Sequence, residues 1–130
     1  MANPVIHYED IVRKAGVVIT ANLPGTMPAT AANYEVFFTA SRPMTIVEVV
    51  ETHRVLGTDP GAVELNLEIL DSGEALDAGD EVLVTDFNLK STINTPVRKS
   101  GTDFTSTRTL KPGQRLALKD TGTPNSVAGL

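Results

Sequence analysis

The chain has 130 residues and contains no cysteine, no tryptophan, two tyrosines and four phenylalanines. The absence of cysteine excludes disulfides, thiolate nucleophiles and cysteine-ligated zinc. Tryptophan and tyrosine supply most of the flat apolar faces on which sugar rings stack, so the shortage of both weakens a carbohydrate-binding interpretation. Neither redox compartment is excluded, because a chain without cysteine folds equally well in both.

Positive charge is also scarce. The chain has 11 lysines and arginines against 16 acidic residues, a net charge of −5, which gives little electrostatic support for binding nucleic acid. No apolar run approaches the ~18 residues of a membrane span, and the first residues lack the basic-then-apolar pattern of a signal peptide. We therefore expect a soluble protein made in a cytoplasm, with no membrane partner.

Two unequal parts make up the chain. Residues 34–130 form one domain with enough apolar residues for a core, whereas residues 1–33 are punctuated by proline and glycine and are too thin for a core of their own. We interpret residues 1–33 as an N-terminal arm, although a first β-hairpin packed on its own domain fits the pattern equally well. The arm has apolar positions that we expect to dock on another surface, namely Val5, Ile6, Ile11, Val12, Val17, Val18, Ile19 and Leu23.

From Tyr34 onward the pattern is that of strands separated by turns every ten to fifteen residues. It predicts an antiparallel β-sandwich or jelly roll, and "SGEALDAGD" is the one stretch compatible with a short helix. The predicted strands are "YEVFFTA", "TIVEVVET", "AVELNLEIL", "DEVLVTDFNLKS", "FTSTRTL" and "QRLALKD".

The strand at residues 62–70 alternates almost without error. Its apolar side chains predict a buried face, and Glu64, Asn66 and Glu68 predict a solvent-exposed face. The predicted core consists of Val63, Leu65, Leu67 and Ile69 together with Phe38, Val47, Val49, Leu116 and Leu118.

One acid–histidine cluster is a candidate for chemistry. Glu51, His53 and Asp59 lie close in sequence, and a carboxylate beside an imidazole can form a general base. On a strand, however, Glu51 and His53 share a face while Asp59 belongs to the following turn. No nucleophile motif accompanies them, so we interpret the cluster as structural and expect no catalytic residue.

Metal and cofactor sites are not indicated either. The acidic residues of 71–81 do not match the spacing of a calcium loop, and the glycines form no phosphate-binding motif. Turn formation accounts better for these acids, and we expect no metal or cofactor. Basic residues instead collect late in the chain, an asymmetry that suits contacts between copies; they are Arg98, Lys99, Arg108, Lys111 and Arg115.

The C-terminal residues "TGTPNSVAGL" are a turn followed by the beginning of an apolar stretch. A sandwich of this kind normally closes with one more strand. Either such a strand is missing from the sequence or residues 127–130 form a short stub, and a sheet edge left open would be available to a neighbour.

Residues 34–130 resemble small virion proteins of tailed phages. The resemblance rests on an F-x-A-x-x-x-x-T-I-x-x-V strand pair, a G-T turn and an alternating A-V-x-L-x-L strand, within "VFFTASRPMTIVEVVETHRVLGTDPGAVELNLEIL". It continues through "DFNLKSTINTP", "RTLKPGQRLALKDTGT" and "SVAGL". The arm has no counterpart in this resemblance.

The resemblance implies a non-enzymatic β-sandwich that decorates or cements the exterior of a bacteriophage capsid, or belongs to a head or tail fibre. It implies a homo-oligomer, usually a trimer, with the major capsid protein as its partner. The alternative is a receptor- or carbohydrate-binding module of a phage fibre or a secreted protein. We further expect that deleting residues 1–24 leaves a folded sandwich but abolishes capsid attachment or trimer formation.

Overall fold

A computed structural model describes residues 16–23, 25 and 36–130, and this part of the chain is all-β. The prediction of an antiparallel β-sandwich fold is thus confirmed. Among the described residues, one short 3-10 turn, Gly101–Asp103, lies between the strands, and no helix has the length and hydrophobicity to cross a membrane. The strands are β1 (Val36–Thr39), β2 (Met44–Thr45), β3 (Glu48–Glu51), β4 (Val63–Leu70), β5 (Asp80–Glu81), β6 (Phe87–Asn88), β7 (Val97–Ser100), β8 (Thr109–Leu110) and β9 (Arg115–Gly122).

The main sheet has the order β1-β9-β4-β5, and β6 pairs with the same edge of β4 as β5. Its centre is the antiparallel ladder of β4 and β9, which runs in unbroken register from Val63 opposite Gly122 to Leu70 opposite Arg115. Gly122 has a positive φ of 83°, and a Cβ there would lie 1.6 Å from the carbonyl oxygen of Ala62. The close approach that ends this ladder therefore requires glycine.

A second layer consists of short ribbons. β2 pairs with β8, and β3 pairs with β7. The N–H of Ile46 also donates to the carbonyl of Arg108, whereas residues 103–105, between β7 and β8, hydrogen-bond to Val82 and Val84. Each of these ribbons is two-stranded, so β2 and β3 are paired along one edge only among the described residues.

The core lies between the two layers, and most of the predicted core residues are there. Val63, Leu65, Leu67, Ile69, Leu116 and Leu118 are buried, while Phe38 and Val49 pack against them partly exposed. The prediction for Val47 is wrong, because its side chain is 72% exposed. The chain leaves β-ladder geometry between β2 and β3, and there Ile46, not Val47, turns toward the core.

The predicted solvent-exposed face of β4 is also wrong. Asn66 and Glu68 are only 1% and 0% exposed, and Glu64 is half-buried. The physical reason is that the chain from residue 77 to 86 folds over this face and hydrogen-bonds to its side chains. Glu68 accepts the N–H groups of Asp77 and Gly79, each at 2.8 Å. The Glu68 carboxylate is thus hydrogen-bonded to the backbone of a turn and not to water.

The side-chain amide of Asn66 takes the place of backbone hydrogen bonds that are missing from one edge of β4. Residues 80–89 follow the edge of β4 but leave it between β5 and β6. At that gap the Asn66 amide accepts the N–H of Leu83 at 3.0 Å and donates to its carbonyl at 3.0 Å, as a peptide group would. It donates a further hydrogen bond of 2.7 Å to Asp86.

Three long strands predicted from the sequence are therefore broken in the structure. "TIVEVVET" contains the last residue of β2 and all of β3, "DEVLVTDFNLKS" contains β5 and β6, and only Thr109–Leu110 of "FTSTRTL" is a strand. In the last case the Thr105 hydroxyl accepts the N–H of Thr107 and donates to the carbonyl of Glu81, which curls the backbone locally. No helix forms in "SGEALDAGD", which consists of turns.

The C-terminal stretch is held inside the fold. Val127 and Ala128 are buried, and the carbonyl of Ala128 accepts the N–H groups of Arg54 and Val55. On the other side, the N–H of Leu23 donates to the carbonyl of Leu130 at 2.9 Å. Part of the predicted arm thus packs on its own domain, as Leu23 also contacts the core. The boundary at residues 33 and 34 lies outside the described residues.

Candidate functional site

The end of β3 brings together two of the three residues in the predicted acid–histidine cluster. Nδ1 of His53 lies 2.8 Å from Oε1 of Glu51, and the two side chains are 0% and 4% exposed. Asp59 lies apart in the following turn, where its carbonyl accepts a hydrogen bond from the Lys90 ammonium group at 2.7 Å. The alternation that placed Glu51 and His53 on one face was correct.

The Glu51–His53 pair is closed to solvent. Burial raises the pKa of the Glu51 carboxyl, and the hydrogen bond and the charge of His53 act in the opposite direction. Oε2 of Glu51 and Nε2 of His53 have no hydrogen-bond partner in the described part of the chain. A general base must reach the proton that it removes, and both side chains of this pair are almost fully buried. Within the described residues, no three potential metal ligands cluster.

The acidic residues after β4 act as turn formers. The Glu74 carboxyl accepts the N–H of Asp71 at 2.8 Å, and the side chain of Gln114 donates to the Asp71 carboxyl at 2.7 Å. The guanidinium group of Arg115 donates to the carbonyls of Asp71 and Glu74. This network ties the turn to the start of β9.

Several of the late basic residues also have partners within the chain. Arg98 pairs with Glu48 at 2.6 Å, while Lys99 and Arg108 lie over the rings of Phe87 and Phe104 at 5.3 and 5.6 Å. These three basic side chains have partners within the chain, so the charge asymmetry along the sequence does not by itself mark a contact surface.

One concave feature is an apolar cleft of about 940 Å3 beside the second layer. Its inner side is formed by Leu65 and Leu67 of β4 and by Leu116 and Leu118 of β9, which are only 4–7% exposed. One wall is the extended segment of residues 16–21, and the other is residues 42–52, which include β2 and β3. We refer to this feature as the second-layer cleft.

Four valines around the second-layer cleft are exposed. Val17 and Val18 on the first wall are 55% and 91% exposed, and Val47 and Val50 on the second wall are 72% and 45% exposed. Single exposed apolar residues are ordinary, but a group of them around one apolar cleft is typical of a contact surface. We refer to these four residues as the valine rim.

Four of the predicted arm residues fall in the described part of the chain. Val17, Val18 and Ile19 line the cleft, and Leu23 packs on the core. Val5, Ile6, Ile11 and Val12 lie outside the described residues. The second wall was not predicted, although "VEVV" carried a signal: valines on both faces of one short strand cannot all point into a single core.

No protein-family model, no curated protein and no solved structure matches this chain.

Proposed function

We propose that this chain is a structural protein without catalytic activity, which attaches to a larger assembly through the second-layer cleft. The observation that carries the proposal is the valine rim, a group of four exposed apolar side chains around one apolar cleft. Covering apolar surface is the main driving force of protein association, so such a surface favours a protein partner.

The assembly that we propose is the exterior of a bacteriophage capsid, where the chain decorates or cements the major capsid protein as an oligomer, most simply a trimer. The support is the resemblance of residues 34–130 to small virion proteins of tailed phages. The Glu51–His53 pair also supports a non-enzymatic function, because both side chains are almost fully buried.

Co-sedimentation with capsids that were assembled without this protein tests the proposal. We expect the chain to sediment with them and the Val47→Asp variant to lose binding at least tenfold, because a carboxylate at the rim must be desolvated on contact. Val84→Asp is the matched control, since Val84 is 64% exposed but does not line the cleft. A chain that never sediments with capsids, or equal losses in both variants, would contradict the proposal.

The prediction for the N-terminal arm is better tested by a shorter deletion than that of residues 1–24. Deleting residues 1–24 removes Leu23, which packs on the core and hydrogen-bonds to Leu130. Deleting residues 1–15 leaves the cleft wall intact and tests the role of the preceding residues alone. We expect this shorter deletion to leave the thermal unfolding midpoint nearly unchanged while weakening capsid binding or trimer formation.

The alternative of a receptor- or carbohydrate-binding module gains no specific support. Phe87 and Phe104 are buried, and a basic side chain lies over each ring. Neither ring is therefore free to stack on a sugar.

A further inference from the structure

The loop between β3 and β4 contains the single Asp–Pro bond of the sequence, which joins Asp59 to Pro60. This kind of peptide bond is chemically weak for two reasons. An aspartate carboxylate can reach the carbonyl carbon of its own residue and close a five-membered ring with it. The proline nitrogen belongs to a tertiary amide without an N–H group, and it leaves readily once it is protonated. The stability of the bond therefore depends on the groups that surround its carbonyl.

The backbone of Leu89 places a lysine beside this bond. The carbonyl of Leu89 accepts the N–H of Gly57 at 2.9 Å, and its N–H donates to the carbonyl of Val63 at 2.9 Å. Leu89 is thus bonded to both ends of the segment that contains the Asp–Pro bond. Because Lys90 is the next residue, its side chain starts at the mouth of this loop.

The ammonium group of Lys90 is hydrogen-bonded to the carbonyl of the Asp–Pro bond itself. It donates to the carbonyl oxygen of Asp59 at 2.7 Å and to that of Gly61 at 3.0 Å. A charged donor at this distance polarises a carbonyl group and stabilises the negative charge that develops on its oxygen when a nucleophile attacks the carbon. Lys90 therefore has the position of a donor in an oxyanion hole.

The nucleophile and water are also close to the bond. A Cβ built on Gly61 would lie 3.9 Å from Oδ2 of Asp59, so the carboxyl group is turned toward the residues that follow it. Pro60 and Gly61 are exposed and Asp59 is half-buried, so water has access to the loop. One weak bond is thus accompanied by an internal carboxylate, a cationic hydrogen-bond donor and solvent.

We propose that Asp59–Pro60 is a self-cleavage site, at which the chain cuts itself once with Asp59 as the nucleophile and Lys90 as the oxyanion donor. A carboxylate oxygen of Asp59 attacks the carbonyl carbon of the same residue and forms a cyclic anhydride. The bond from that carbon to the Pro60 nitrogen breaks, and the nitrogen takes up two protons from solvent to become a secondary ammonium terminus. A water molecule then opens the anhydride to two carboxylates and returns two protons, so the net reaction consumes one water.

The two pieces stay assembled after the cut. The strands that precede the cut, β1, β2 and β3, pair with β9, β8 and β7, which follow it. Gly57 and Thr58 are also hydrogen-bonded to Leu89 and Ser126 across the cut. Cleavage is therefore visible only under denaturing conditions. The inference does not depend on the proposed function, because a single self-cleavage needs no partner and no turnover.

The experiment is incubation of the full chain at physiological temperature and neutral pH, followed by denaturing electrophoresis and mass spectrometry. We expect two fragments, residues 1–59 and 60–130, whose masses sum to that of the intact chain plus one water. Gel filtration without denaturant should still show one particle. We expect the folded chain to be cleaved at least tenfold faster than the chain unfolded in guanidinium chloride, because unfolding removes the Lys90 donor but keeps the Asp–Pro bond.

Substitutions test each part of the site. Asp59→Ala removes the nucleophile and Pro60→Ala removes the leaving group, and we expect both to abolish cleavage. Lys90→Met keeps the length of an exposed side chain but removes the ammonium group, and we expect cleavage to slow at least tenfold without a change in the thermal unfolding midpoint. Lys119→Ala is the matched control, because its ammonium group also donates to a carbonyl, that of Gly79 at 3.4 Å, and cleavage should be unchanged.

Five results would overturn the inference. They are the absence of fragments from the unaltered chain, equal rates in the folded and unfolded chain, cleavage of the Asp59→Ala variant, equal rates in the Lys90→Met and Lys119→Ala variants, and a branched product. In the branched product the Lys90 nitrogen would carry the acyl group of Asp59, and the total mass would equal that of the intact chain. That result would show that water does not open the anhydride.

Discussion

β4 and the segment around β3 differ in which side chains they bury. In β4 the polar residues Asn66 and Glu68 are buried, whereas the segment around β3 exposes the apolar residues Val47 and Val50. β4 lies at the centre of a sheet with strands on both edges, and β3 lies in a two-stranded ribbon beside an open cleft.

The difference shows in which region the polar and apolar groups find their partners within the chain. Each buried polar group of β4 has backbone partners supplied by residues 77–83, so this region is satisfied within the chain. Around β3, apolar side chains and strand edges lack partners among the described residues. Stability therefore resides in the main sheet, while association is expected in the second layer, and the predictions below test this division from the largest effect to the smallest.

Glu68→Ala should be the most damaging change. It leaves the N–H groups of Asp77 and Gly79 without their acceptor, and Gly79 is buried, so we expect a loss of about 3–5 kcal/mol in the free energy of unfolding, measured by urea titration. Glu64→Ala on the same face is the control and should stay within about 0.5 kcal/mol. Equal effects at the two positions would mean that the face is solvated after all.

Ile69→Ala and Leu67→Ala compare two buried positions on one face of β4. Ile69 lies away from the cleft, and we expect its truncation to cost about 3–4 kcal/mol. Leu67 borders the cleft, so truncation removes fewer close contacts and should cost about 2–3 kcal/mol. A larger cost at Leu67 would show that the cleft is closed in solution.

Glu51→Gln tests the buried pair by its pH dependence. Because burial raises the Glu51 pKa in the folded chain, the folded state binds this proton more tightly than the unfolded state. The stability from this group is full below its ordinary pKa of 4.5 and is lost as pH rises through the raised value. We expect the unfolding free energy of the unaltered chain, relative to the Gln variant, to fall over that window. A difference that is independent of pH would contradict the raised pKa.

Val47→Thr should have the smallest effect on stability. The side chain is 72% exposed, so we expect a change within about 0.5 kcal/mol in thermal unfolding. In the same samples, light scattering at high concentration should report less self-association than in the unaltered chain. Destabilisation above about 1 kcal/mol would instead show that the Val47 side chain is packed in the core, as the sequence pattern predicted.

The fold class and much of the core could be predicted because they depend on local rules. Alternation placed Leu65 and Leu67 in the core, and glycine- and proline-containing turns separated the strands. The same alternation paired Glu51 with His53. These features depend on the two-residue period of a strand and not on distant parts of the chain.

Features that depend on what covers a strand could not be predicted. Asn66 looked solvent-exposed because no local pattern shows that the chain leaves the edge of β4 near Leu83 and that an amide fills the gap. Val47 looked buried because β-branched residues favour strands on either face. The cleft was missed for the same reason, since its walls lie more than twenty residues apart in sequence.

The β4–β9 ladder has a consequence for the kinetics of folding. Its partners, such as Val63 and Gly122, are far apart along the chain, so a long loop must close before the first pair can form. Topologies dominated by such distant contacts fold in milliseconds to seconds, slower than helical domains of the same size. During synthesis β4 must wait for β9 to leave the ribosome, and for that time its leucines are exposed to chaperones. The Asn66 and Glu68 side chains make one face of the unpaired β4 polar, which reduces its tendency to associate non-specifically before β9 is synthesised.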